Sequence, residues 1–191
     1  PAGEREALAR RLHQRKNAIY GELVRSARLP LREGVLDLMQ ECCARGVRMA
    51  VARAAGRSNV EALLRVHLGE GWADWFPVMV CGEDVKRKKP DPEVYGQVLR
   101  ALGITPLQAV ALEDSPGGVA AARAADVPVI VTLSSYFSAA SFEGAIAIGP
   151  GLHDRSGWRP LPAQAPNQRR AVNLADIEQW HAQMDMVSHH A

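Results

Sequence analysis

Glu113 and Asp114 stand directly behind the apolar run Ala109-Val110-Ala111-Leu112 and directly before Ser115-Pro116-Gly117-Gly118. The apolar run reads as a buried strand, and the Ser-Pro-Gly-Gly segment opens a helix over Val119–Ala125. Open α/β sheets bind their ligands outside the carboxyl ends of the strands. A pair of carboxylates at such an end offers the oxygen ligands that a hard cation such as Mg²⁺ prefers. Upstream, Lys88-Lys89-Pro90-Asp91-Pro92-Glu93-Val94-Tyr95 has a matching logic. Pro90 and Pro92 fix the backbone, while Asp91 caps the next helix with Pro92 in its first turn. Lys89 is thereby held at a helix head, and a fixed ammonium beside an acidic cation site suits a phosphate. Lysines before prolines are common, and acidic pairs usually sit in solvated turns. The order of the two segments is far more specific than either alone.

The surrounding pattern supplies the elements that must position these groups. Glu4–Leu23 is a charged amphipathic helix with Leu8, Leu12, Ile19 and Leu23 on one side. Leu36, Leu38, Met39 and Cys42 mark a second helix, which Gly46 ends. Strands are expected at Val47–Ala52, Val78–Cys81, Ala109–Leu112 and Val127–Leu133, with a short candidate at Ala145–Ile148. Helices alternate with them at Asn59–Leu68, Pro92–Leu102 and Val119–Ala125. Such alternation implies an α/β fold with a parallel sheet and helices on both faces. Trp72, Trp75 and Phe76 precede a strand and read as core packing. Ser58 is the expected cap of the Asn59 helix. Gly149–Gln168 reads as a loop and Val172–Met186 as a closing helix, with Asn173 and Asp176 spaced for a capping box.

Composition narrows the function classes. A net charge of +2 is too small to argue for nucleic acid or an anionic membrane surface. Aromatic residues make up 5% and are not interleaved with basic ones as single-strand binders require. No apolar run reaches the length of a membrane span, and no secretory signal opens the chain, so a cytoplasmic protein is expected. Three cysteines without CxxC spacing point neither to a disulfide framework nor to a zinc site. Cys42 and Cys43 read as small buried hydrophobes.

With both segments in view, the chain resembles the haloacid-dehalogenase-like (HAD) superfamily, in its CbbY-like and β-phosphoglucomutase-like subgroup. Lys89-Pro90-Asp91-Pro92 is similar to the family's third motif, and Glu113-Asp114-Ser115 with Gly118 to its fourth. Asn59-Val60-Glu61-Ala62-Leu63-Leu64, Tyr136 and Phe142-Glu143-Gly144-Ala145 resemble the CbbY-like branch. The resemblance implies a HAD Rossmann-like parallel sheet plus the remnant of a helical cap. Residues 1–28 would be the cap remnant, 29–148 the α/β core, and 149–191 a loop and C-terminal helix. It also implies phosphoryl transfer from a small phosphorylated metabolite, a sugar phosphate, to an Asp nucleophile at the end of the first strand. A second Asp acts as general acid and base, and Mg²⁺ neutralises the phosphate oxygens. Lys89 would be the catalytic and phosphate-binding lysine. Asp114 would contact the metal directly, with Glu113 acting through water or from behind, and Asn59 would lie in the loop that touches substrate.

Two departures qualify that picture. The sequence contains no D-x-D-G-[TS] segment, so the chain is expected to start inside the cap, after the first strand. In this fold that strand lies between the strands ending at Ala52 and Leu112. Its absence would leave two edges of unpaired backbone groups. Arg53 also stands where the second motif has Ser or Thr. Its guanidinium could clamp a phosphate, pair with Asp114, or simply reach solvent. The expected outcome is a chain that binds Mg²⁺ weakly or not at all and is nearly inactive alone. The alternatives are a pseudo-enzyme or phosphate-binding module, or a non-functional gene fragment.

Overall fold

The structure, a computed structural model, describes residues 2–26, 29–54, 56–162 and 170–188. Its elements run α1 (Ala2–Arg25), α2 (Val35–Ala44), β1 (Ala50–Ala52), α3 (Arg57–Leu68), α4 (Trp72–Trp75), β2 (Val78–Val80) and α5 (Glu93–Leu102). They continue with β3 (Ala111–Glu113), α6 (Pro116–Ala124), β4 (Val129–Thr132), β5 (Ala147–Gly149) and α7 (Leu174–Ser188). Every strand pairing is parallel. β1 pairs with β2, with Ala52 opposite Val80. β4 lies between β3 and β5, with Leu112 opposite Ile130 and Val131 opposite Ile148.

The single sheet expected from the sequence is thus two sheets, one of two strands and one of three. β1 and β3 do not pair with each other. This is the interruption that a missing strand between Ala52 and Leu112 would produce. The strands are also shorter than expected. Val47 is exposed and its N–H bonds to the Cys42 carbonyl, so residues 47–49 complete the exit from α2 instead of joining β1. β3 is shifted towards its carboxyl end, which makes Glu113 its last residue rather than the residue beyond it.

One hydrophobic core still joins the two sheets. Val80 of β2 packs in the same buried cluster as Val94, Tyr95 and Val98 of α5, Val119 of α6, and Val129 and Val131 of β4. On the opposite face, Leu38 and Cys42 of α2 and Ile177 and Trp180 of α7 pack against Ile130 and Ala147. Beside them, Val60 and Leu64 of α3 pack with Phe76, Cys81 and the partly buried Trp72 and Trp75. Strand alternation explains the division: Val129 and Val131 face one side, Ile130 the other.

Other local expectations divide. Asn173 and Asp176 form a reciprocal cap, each backbone N–H bonding the other's side chain at 3.1 Å. Cys42 is buried, but Cys43 is exposed, because neighbours on a helix point in different directions. Ser58 does not cap α3. The helix starts at Arg57, two residues before the expected Asn59, and the carboxylate of Glu83 receives the Arg57 N–H at 2.9 Å. In the long loop expected at Gly149–Gln168, Arg159 bridges back to Ile148 of β5; residues 163–168 of that loop lie outside the described residues.

Candidate active site

Lys89 contacts residues of both sheets. Its ammonium donates to the carbonyl of Ala52, the last residue of β1, at 3.0 Å. It also pairs with Oε1 of Glu113, the last residue of β3. One side chain therefore spans the carboxyl ends of both sheets. The segment that carries it is pinned by Glu93, whose carboxylate accepts the backbone N–H groups of Lys86 and Arg87 at 3.0 and 2.9 Å. Those two bonds, first among several causes, hold the Glu93 carboxyl below its ordinary range. Asp91 accepts the Glu93 N–H at 3.0 Å and so closes the first turn of α5. The Lys89–Pro90 peptide is cis.

Glu113 is locked rather than open. Its Oε1 takes Lys89 and also the Tyr95 hydroxyl at 2.5 Å; its Oε2 lies 3.4 Å from the Ser115 hydroxyl. The carboxylate rests on the first turn of α6, where the helix dipole favours negative charge. There a Cβ on residue 118 would fall 1.9 Å from Oε2, so only glycine fits. Ser115 caps the same turn by accepting the Gly118 N–H at 3.1 Å. The spacing of Glu113, Ser115 and Gly118 has a single physical cause: a carboxylate laid across a helix start.

Asp114, the next residue, is exposed, and among the described residues it makes no hydrogen bond or ion pair through its side chain. Arg53, next after Ala52, is likewise exposed and makes no ion pair among them. The Arg53–Asp114 pair, one of three readings of Arg53, is therefore not formed here. Asn59 is half-buried in the first turn of α3, its backbone N–H on the Gly56 carbonyl at 3.2 Å. The loops after β1 and β2 are fastened together by Arg57, which bonds Asp84 at 2.7 Å and the Met79 carbonyl at 3.1 Å. Gly82 allows the close approach of those loops, since a Cβ there would lie 2.3 Å from the Ala54 carbonyl oxygen.

Tyr95 received no role from the sequence. The available signal was a tyrosine on the buried face of α5, six residues after Lys89, where phenylalanine would have packed as well. Burial, first, and then the charge and hydrogen bond of Glu113 push its hydroxyl ionisation well up, so it remains a donor.

A divalent cation needs several oxygens. Both oxygens of Glu113 already have partners, which leaves Asp114 as the one open carboxylate of the pair. Among the described residues no group of three or more His, Cys, Asp or Glu side chains could hold a metal.

A family profile described as a haloacid dehalogenase-like hydrolase matches residues 2–126. Over 171 residues the chain is 37% identical to the plasmid CbbY protein of Cupriavidus necator, covering 89% of this chain and 66% of that protein. It is 33% identical to a phosphorylated carbohydrates phosphatase of Thermotoga maritima, covering 64% of this chain and 53% of that one. Among solved structures it superposes on a CbbY variant from Rhodobacter sphaeroides in complex with xylulose-(1,5)bisphosphate. That match has a TM-score of 0.69 at 37% identity and covers 73% of this chain and 62% of that one. The chain thus spans just under two thirds of the CbbY proteins it matches. No described helix is long and apolar enough to cross a membrane.

Proposed function

The chain belongs to the haloacid dehalogenase-like hydrolases, and from that premise we propose that the end of β1 and the end of β3 form the phosphate half of a phosphatase site for a small sugar phosphate. The observation that carries this reading is Lys89, an ammonium fixed between Ala52 and Glu113 at the carboxyl ends of the strands. A fixed cation at that edge binds phosphate oxygens and stabilises charge that develops on them. Arg53, exposed at the end of β1, is placed to add a second contact, with Asn59 in the neighbouring turn. Asp114 is the residue free to meet a metal, while Glu113 holds Lys89 in place. The substrate class is supported by relatives: one is named for phosphorylated carbohydrates, and the CbbY structure holds a sugar bisphosphate.

In this reading the 191 residues bind phosphate without turning over phosphate esters, because they contain no D-x-D-G-[TS] nucleophile segment. Loss of a nucleophile costs several orders of magnitude in rate. Purified chain titrated with inorganic phosphate is expected to bind it weakly, with little change on adding Mg²⁺, and Lys89→Met is expected to abolish the binding. A generic phosphate ester with Mg²⁺ is expected to be hydrolysed at background rate. Robust turnover that Asp114→Asn abolishes would mean that another carboxylate serves as nucleophile, and would overturn this account of the site.

A further inference from the structure

A lysine ammonium has three hydrogens to give and no acceptor. In this structure all three have takers: the Ala52 carbonyl at 3.0 Å, Oε1 of Glu113, and the Tyr95 hydroxyl oxygen at 3.3 Å. A phosphate oxygen can reach the ammonium only by replacing one of them. Giving up Glu113 would leave a buried carboxylate without its counter-charge, which is strongly unfavourable. Tyr95 is the longest contact and is neutral. Its own O–H is engaged elsewhere, donating to Glu113 Oε1 at 2.5 Å, and keeps that bond when the ammonium turns away. The ammonium also lies 4.9 Å from the centre of the Tyr95 ring, so the aromatic body backs the charge on one side.

We propose that Tyr95 is a positioning residue for Lys89: its hydroxyl shares Glu113 with the ammonium and holds the third N–H in a place that phosphate can take. The proposal rests on the reading of Lys89 as the phosphate ligand. Without the hydroxyl, the ammonium loses its third acceptor and Glu113 loses one donor, so Lys89 is held less firmly at the edge of β1. Phenylalanine keeps the ring and its packing, so the substitution removes the hydroxyl alone.

The test is Tyr95→Phe in the whole chain, read two ways. Hydrogen exchange of the Lys89 ammonium, followed by ¹⁵N NMR, is expected to speed up about tenfold, the size of one hydrogen bond to a charged group. Affinity for inorganic phosphate is expected to fall by a similar factor, about tenfold, while Tyr136→Phe, at a 91% exposed position, changes neither reading. A tyrosine that only fills the core would leave both ammonium exchange and phosphate affinity unchanged, and that result would overturn the proposal. If the unmodified chain binds no phosphate yet Tyr95→Phe still speeds exchange, the phosphate reading of Lys89 fails and the positioning role stands. Should the variant not fold, the unmodified chain decides. A protected downfield hydroxyl proton with cross-peaks to the Tyr95 ring is expected, and its absence would refute the shared bond.

Discussion

Lys89 and Asp114 lie at the same strand ends, yet their removal should have opposite consequences. The side chains of Lys89 and Glu113 are 14% and 8% exposed, so loss of the lysine strands a carboxylate away from water. Tyr95, Ser115 and the start of α6 compensate in part. Lys89→Met is therefore expected to destabilise the chain by about 3 kcal/mol, within the range for breaking a buried pair. Asp114 is exposed and its side chain has no described partner, so Asp114→Asn should change stability by no more than about 0.5 kcal/mol. Urea unfolding of both variants checks this. A large loss from Asp114→Asn would give that residue a structural task, and would remove the argument that it is held open for chemistry.

At the scale of elements, the interruption between β1 and β3 leaves a mark on packing. Ile130 and Leu112 are register partners on adjacent strands and point to the same face. Ile130, in the middle strand, is wholly buried beneath α2 and α7, while Leu112, on the strand beside the interruption, is 41% exposed. Ile130→Ala should cost about 3 kcal/mol and Leu112→Ala about 1 kcal/mol. Equal losses in denaturant unfolding would mean that Leu112 is covered in solution. The same comparison marks what the sequence could disclose. Apolar runs and glycine stops located each of the five described strands and every described α-helix except the four-residue α4, because those signals are local. They missed strand lengths, because pairing partners decide where a strand ends. They missed Glu83 as the cap of α3, because that carboxylate arrives from the loop after β2. The meeting of Lys89 with Glu113 at the strand ends was legible in motif order. The resemblance also set Asp114 in front and Glu113 behind; what it did not disclose is that Tyr95 and Gly118 close around Glu113.

For the whole molecule, the question is whether two sheets make two folding units. The chain places its four tryptophans usefully: Trp72 and Trp75 in the cluster beside β1 and β2, Trp158 and Trp180 in the cluster on β4 and β5. Trp158 and Trp180 are each 1% exposed and stack at 4.7 Å between ring centres. The surrounding segment is fastened by Arg155 on Asp176 at 2.5 Å and by the Trp180 indole on the Pro160 carbonyl at 3.1 Å. Residues 150–162 and α7 are thus built into the core rather than appended to it. On the other face, α5 contributes Val94, Tyr95 and Val98 to a cluster that includes residues of both sheets. A shared cluster couples the free energies of the parts it joins, and small domains so coupled unfold in one transition. In the double variant Trp72→Phe/Trp75→Phe, fluorescence reports only the β4–β5 side, whereas far-UV circular dichroism reports every helix. The two urea transitions are expected to coincide in midpoint and slope. A fluorescence transition displaced from the dichroism one would show that the β1–β2 side unfolds separately. The cluster beneath α5 would then not bind the sheets into one unit, and Lys89 would be the main link between their ends.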